Sequence, residues 1–199
     1  MRHIILFLGF AFVFSFAVNA QQNFIISYPI SFPTGAHSDY ISATSFRGFS
    51  TEYVQTVKEN LSVGLEFGWH VFYQEENEKE YKEGTISITG RQYRYTNAVP
   101  ILAQAKWLLP SNSDATNFYV GLGIGTLYVD RSTDFGLYRI KNDAWQFLLR
   151  PEAGVAFKLQ PGTRLFAGVK YYSAFNTDDL DGQSFLSANI GFIFSSGTK

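Results

Sequence analysis

The chain of 199 residues has no cysteine, one methionine and three histidines. Without cysteine it cannot be stapled by disulfides, and it cannot carry a lipid on an N-terminal cysteine. So few soft ligands leave a transition-metal centre with little support, and no cofactor is expected. Charge is sparse and balanced, 16 Lys and Arg against 17 Asp and Glu. That excludes the basic face on which nucleic-acid binding rests. Beyond residue 20 no apolar run approaches the ~20 residues of a helical membrane span. What the chain has in excess is aromatic residues, 18% of the total, with 20 Phe and 12 Tyr.

The N-terminus reads as a secretory signal. Arg2 and His3 form a short basic region and Ile4 to Phe16 an apolar one, and Val18-Asn19-Ala20 fits small-x-small cleavage before Gln21. Residues 1–20 are therefore expected to be a cleaved signal peptide and 21–199 a single domain.

Residues 61–73 set the pattern for that domain. Leu61, Val63, Leu65, Phe67, Trp69, Val71 and Tyr73 are apolar or aromatic, whereas Ser62, Gly64, Glu66, Gly68 and His70 are small, polar or ionisable, until Phe72. A sustained period of two is a strand whose faces meet different surroundings. Its length suits a bilayer, which takes about 9–11 tilted strand residues. The same alternation predicts strands over 23–32, 45–57, 61–73, 91–107, 117–129, 143–159, 164–174 and 185–195. Long loops are expected over 33–44, 74–90, 130–142 and 175–184, alternating with shorter turns. Eight strands joined this way predict an all-β fold, an up-and-down antiparallel transmembrane β-barrel, since only a closed barrel can cross lipid with strands. Asn97 on the apolar face, and Pro100 and Pro151 inside strands, interrupt the pattern.

The apolar face is nearly free of charge, which suits lipid. The other face carries glycines and isolated charges, too few for a water-washed exterior. Tyr73, Tyr93, Tyr95, Tyr128, Trp145 and Tyr171 fall near the long-loop rim, and Trp107, Phe118, Phe157 and Phe194 near the short-turn rim, as two interfacial girdles. Counted by strand height, Glu52, Glu66 and Glu152 share the middle of the lumen with Arg150 and Lys170. Arg94 and His70 lie higher; Lys106, Lys158 and Arg164 lie lower. An eight-stranded barrel has an interior only wide enough for side chains, so these charges are expected to pair into a plug. Gly121, Gly123 and Gly125 make room for them; no Lys-Ser/Thr follows, so they are not a phosphate loop. His37 and His70 have no matching serine at a lipid-facing rim, and no enzyme is expected.

The signal, the eight strands, RPEAGVAF at 150–157, YVGLGIGTLY at 119–128 and the aromatic-ended last strand resemble the small outer-membrane β-barrels of OmpA/OmpX type. That resemblance implies the outer membrane, both termini in the periplasm, contact with outer-membrane lipid and lipopolysaccharide, and reading of the last strand by the barrel-assembly machinery. It leaves two functional expectations. One is a structural or surface-interaction barrel with working loops, the acidic 74–90 segment being a candidate contact for an extracellular partner. The other is a narrow passive channel for small solutes or ions.

Overall fold

A computed structural model describes residues 21–83, 86–111, 115–136 and 138–196, with side chains of 78–89 not described. The expected signal peptide and its cleavage site lie outside the described residues, as does the centre of the 108–116 turn. Eight antiparallel strands close into a barrel: β1 (Gln22–Thr34), β2 (Gly48–Lys58), β3 (Leu61–Glu83), β4 (Ile86–Leu108), β5 (Thr116–Phe135), β6 (Tyr138–Gln160), β7 (Thr163–Ala174) and β8 (Ser184–Ser196). Closure is by β1 against β8, continuous from Gln22↔Ser196 to Thr34↔Ser184. With an even strand number, the first and last strands have their outer chain ends at the short-turn end of the barrel.

Alternation sorts the side chains as the pleat requires. Leu65 is 63% exposed, Leu122 56% and Ile190 53%, while Glu52, Glu66, Arg150 and Lys170, on the opposite parity, are buried. The exterior is therefore the apolar face and the interior the polar one. Asn97 faces outward but is satisfied, accepting a 3.2 Å hydrogen bond from Trp69 Nε1. The prolines keep register by losing pairing on one side only. The β3–β4 ladder skips from Phe67↔Ile101 to His70↔Ala98 at Pro100, and β6–β7 skips from Leu149↔Ser173 to Glu152↔Lys170 at Pro151.

Two of the expected long loops are corrected. Segments 74–90 and 130–142 are largely strand: β3 and β4 pair on to Glu83↔Ile86, and β5 and β6 to Phe135↔Tyr138. Backbone ladders do not need apolar side chains, so they continue after the hydrophobic alternation stops. Gly136 (φ 59°) supplies the left-handed residue of the β5–β6 turn, as Gly162 (φ 80°) does for β6–β7. A short helix, α1 (Ala36–Tyr40), occupies the 33–44 segment, and strand two starts at Gly48 rather than 45. Residues 175–183 hold no strand.

Candidate functional site

The lumen is filled in layers. At mid-height, Glu52 on β2 and Glu66 on β3 are directly opposite in register, a like-charge pair that is unfavourable unless a cation intervenes. Lys170 does so, its Nζ lying 2.7 Å from Glu52 Oε1 and 3.0 Å from Glu66 Oε1. Arg150 reaches Glu66 Oε2 and Glu152 Oε2, both at 2.7 Å; these are ion-pair contacts off the hydrogen-bond axis. Lys106 contacts Glu52 at 2.5 Å and Glu152 at 3.3 Å. Three carboxylates thus meet three cations, and the buried set is neutral. Uncharged groups complete it: Tyr172 donates to Glu66 Oε1 at 2.6 Å, and Gln104 Nε2 to Glu52 Oε2 at 2.7 Å.

Register explains why Lys106 belongs here and not lower, where counting along strands places it. One ladder row runs Lys106↔Gly121↔Glu152↔Lys170 across four strands. In a sheared barrel a row climbs as it goes round, so equal position along the strands is not equal height. Gly121 sits between Lys106 and Glu152; a Cβ there would lie 2.6 Å from Glu152 Oε1. At Gly123 a Cβ would lie 3.2 Å from Arg150 Nε. Both glycines leave the space that the long side chains occupy.

Arg94 is not part of this set. It donates to Gln92 Oε1 at 2.7 Å and to the Tyr40 carbonyl at 2.8 Å, at the long-hairpin end. His70 is buried just above the network, with Nδ1 2.9 Å from Ser31 Oγ and its ring against Tyr172 and Phe185. Arg164 lines a cavity of about 240 Å³ at the short-turn end, below Lys106 and Tyr119, and Lys158 is exposed.

Above the charges lies an apolar layer that the sequence reading did not anticipate. Phe72, Leu102, Leu127, Leu148, Tyr172 and Phe185 point inward and are fully buried, joined by Ile41 after α1 and Leu180 from the 175–183 segment. Their signal is present as breaks in alternation: Phe72, Leu102, Leu127 and Leu148 are large apolar residues on the otherwise polar parity. His37 of α1 is buried against this layer, its ring centroid 4.4 Å from that of Phe72.

Neither ring nitrogen of His37 has a hydrogen-bond partner of good geometry. Burial, reinforced by the positive charge of Arg131 and only partly offset by the Ser184 backbone, pulls its pKa down from 6.5 to about 4. The docked ring is neutral at pH 7. As pH falls below 6.5, the undocked ring takes up a proton that the docked ring refuses, so docking weakens down to about pH 4 and then levels off. The protection factors of the amides across residues 36–41, exchange rates taken relative to the intrinsic rate at each pH, are expected to fall as pH drops through that window in the wild type and to lose this dependence in His37→Phe. An equal acid response in both proteins would show that another group governs the segment.

On the exterior, the girdle aromatics pair across strands at the long-hairpin rim. Tyr73 and Tyr95 have centroids 4.9 Å apart, and Tyr128 and Trp145 5.0 Å. Tyr93 lies one outward position beyond Tyr95, and Tyr171 is opposite Leu186. At the other rim Trp107, Phe118, Phe157 and Phe194 are all exposed.

No protein-family model matches the chain, and no curated protein does. Solved structures do. The attachment invasion locus protein Ail of Yersinia pestis, solved in complex with the heparin analogue sucrose octasulfate, superposes with a TM-score of 0.51 at 13% identity, over 89% of this chain and 100% of that one. Neisserial surface protein A superposes with a TM-score of 0.53 at 14% identity, over 88% of this chain and 96% of that one. The outer-membrane protein OprG of Pseudomonas aeruginosa gives 0.50 at 11% identity, over 90% and 97%. Identities this low speak to architecture alone, and they agree with the closed ring of strands: the chain has the fold of the small eight-stranded outer-membrane β-barrels.

Proposed function

We propose that this protein is a non-catalytic barrel of the bacterial outer membrane with a structural or surface-interaction role and a plugged lumen. The supporting observation is the stacking of two different seals on one axis, a neutralised charge layer and an apolar layer. A hydrated path for ions would have to breach both. The apolar exterior fits a lipid environment, and lipopolysaccharide is the expected neighbour of the long-hairpin rim. The short turns and both termini face the periplasm, β8 is the strand that the assembly machinery reads, and the projecting β3–β4 and β5–β6 hairpins are the surface offered to an extracellular partner.

Two experiments test this reading. In planar bilayers the refolded wild type is expected to conduct poorly or not at all. A wide, steady conductance would instead establish the channel alternative. For orientation, a cysteine introduced at Asn77 is expected to react with an impermeant maleimide on intact cells; labelling only after lysis would reverse the topology.

A further inference from the structure

The long-hairpin end holds a second concavity, separate from the lumen layers. It is a cavity of about 210 Å³ bordered by Tyr40, Gln92, Arg94, Arg131, Thr133 and Asn142. These residues come from α1 and from the inner parity of β4, β5 and β6, above the barrel mouth.

Strand alternation separates charge between the two faces of this projecting sheet. The outer parity of β5 carries Asp130 and Asp134, and both are taken: Lys141 lies 3.2 Å from Asp130, and Arg139 2.6 Å from Asp134. The inner parity carries Arg94 and Arg131. Among the described residues neither arginine forms an ion pair and no carboxylate borders the cavity. By register the nearest acid on this face is Glu76, opposite Gln92, and it accepts from Gln74.

The two guanidinium groups are nevertheless held together. Their central carbons lie 5.1 Å (Arg94) and 3.8 Å (Arg131) from the centroid of the Tyr40 ring. Tyr40 is itself fixed, its hydroxyl 2.9 Å from the Ser132 carbonyl and 2.5 Å from Thr133 Oγ1. Arg94 is oriented by two neutral acceptors, Gln92 Oε1 and the Tyr40 carbonyl. Among the described residues, two like charges are thus placed beside one neutral ring, with amide and hydroxyl donors around them. Guanidinium forks match carboxylate and phosphate oxygens and bind them with charge-assisted hydrogen bonds. Phe135 and Ile140 add an apolar wall.

We propose that this cavity is a binding site for a small dissolved oxyanion, the phosphate or carboxylate group of a solute arriving from the long-hairpin side. The inner parity of the sheet turns the site toward the barrel axis, away from the lipid that surrounds the exterior. The proposal needs only that this end meets water, so it stands or falls independently of whether the lumen conducts.

The test is calorimetric titration of the full mature protein, refolded in a nonionic detergent, with inorganic phosphate and with benzoate. Saturable binding of at least one is expected, weakened by roughly tenfold or more in Arg131→Gln and only in part in Arg131→Lys, which keeps the charge but loses the fork. Arg139→Gln, on the outer face, should bind as the wild type does. Retained heat-stable barrel mobility on gels would show that the Arg131 variants are folded. Two results overturn the proposal: no binding of either free anion, or equal loss in the Arg131 and Arg139 variants. Binding that appears only when lipopolysaccharide is added, and never with the free anions, would assign the arginines to lipid phosphate and overturn it as well.

Discussion

Replacing Lys170 by methionine is expected to destabilise the refolded barrel by about 3–5 kcal/mol, the range for breaking a buried ion pair from one side. Lys170 is the cation between Glu52 and Glu66, which face each other directly across β2 and β3. Methionine fills similar volume but leaves two carboxylates opposed in a space with little water. Lys106 on Glu52 and Arg150 on Glu66 remain and hold the loss toward the lower end of the range. Glu66→Gln should cost less. Tyr172 can still donate to the amide oxygen, Lys170 keeps Glu52, and Arg150 keeps Glu152. The double variant Lys170→Met/Glu66→Gln restores neutrality, so its cost should fall short of the sum of the singles. Urea unfolding from bilayers measures all three. Additive singles, or a Lys170→Met barrel as stable as the wild type, would mean that water screens these charges and that they do not form a cohesive plug.

The barrel was legible in the sequence because lipid and lumen impose opposite demands on alternate residues, and the chain meets them over almost every strand. Leu61 to Tyr73 is enough to read a two-faced strand, and Gln160-Pro161-Gly162-Thr163 enough to read a turn. Legibility ended where that contrast ends. Beyond Tyr73 and Val129 the alternation of hydrophobicity vanishes, and the strands continue on backbone pairing. The β5–β6 extension did leave a subtler trace. Arg131, Thr133 and Phe135 alternate with Asp130, Ser132 and Asp134, and the aspartates find cross-strand cations at Lys141 and Arg139.

The interior was legible by residue type but not by height. Glu52, Glu66, Glu152, Arg150 and Lys170 do meet; Lys106, counted lower, joins them, while Arg94 lies higher, as counted, and bonds neutral acceptors instead of pairing into the plug. The place of Lys106 comes from geometry that the sequence does not print: the stagger between neighbouring strands and the reach of a lysine stem. The apolar layer was hidden for another reason. A single large residue such as Phe72 or Leu127 on a polar face looks like noise in one strand. It becomes a pattern only once register sets several such residues at one level. Gly64 shows the same limit. It faces the lumen like Ser62, but a Cβ there would lie 2.0 Å from the Tyr53 carbonyl oxygen, so even serine would not be a neutral substitution.

Arginine on the exterior should be tolerated at the rim and rejected at mid-height. Leu65 and Leu122 are outward residues 63% and 56% exposed to whatever surrounds the barrel, well inside their strands. Leu159 is similarly exposed, at 57%, but adjoins the Gln160–Thr163 turn. If the surroundings are hydrocarbon, an arginine at the midplane costs about 2–4 kcal/mol and one near the interface about 0–1 kcal/mol. Leu65→Arg and Leu122→Arg are therefore each expected to lower the folding free energy by about 2–4 kcal/mol, while Leu159→Arg stays near the wild type because its side chain can snorkel to the headgroups. The three substitutions are chemically identical and start from nearly equal exposure, so a protein effect alone predicts similar costs, whereas a depth-dependent medium separates them. Folding free energies in lipid vesicles, measured by the equilibrium shift in tryptophan emission, read the difference directly. Equal costs at the three positions, or a larger cost at Leu159, would mean that the apolar face does not meet a bilayer in the register inferred from its aromatic rims.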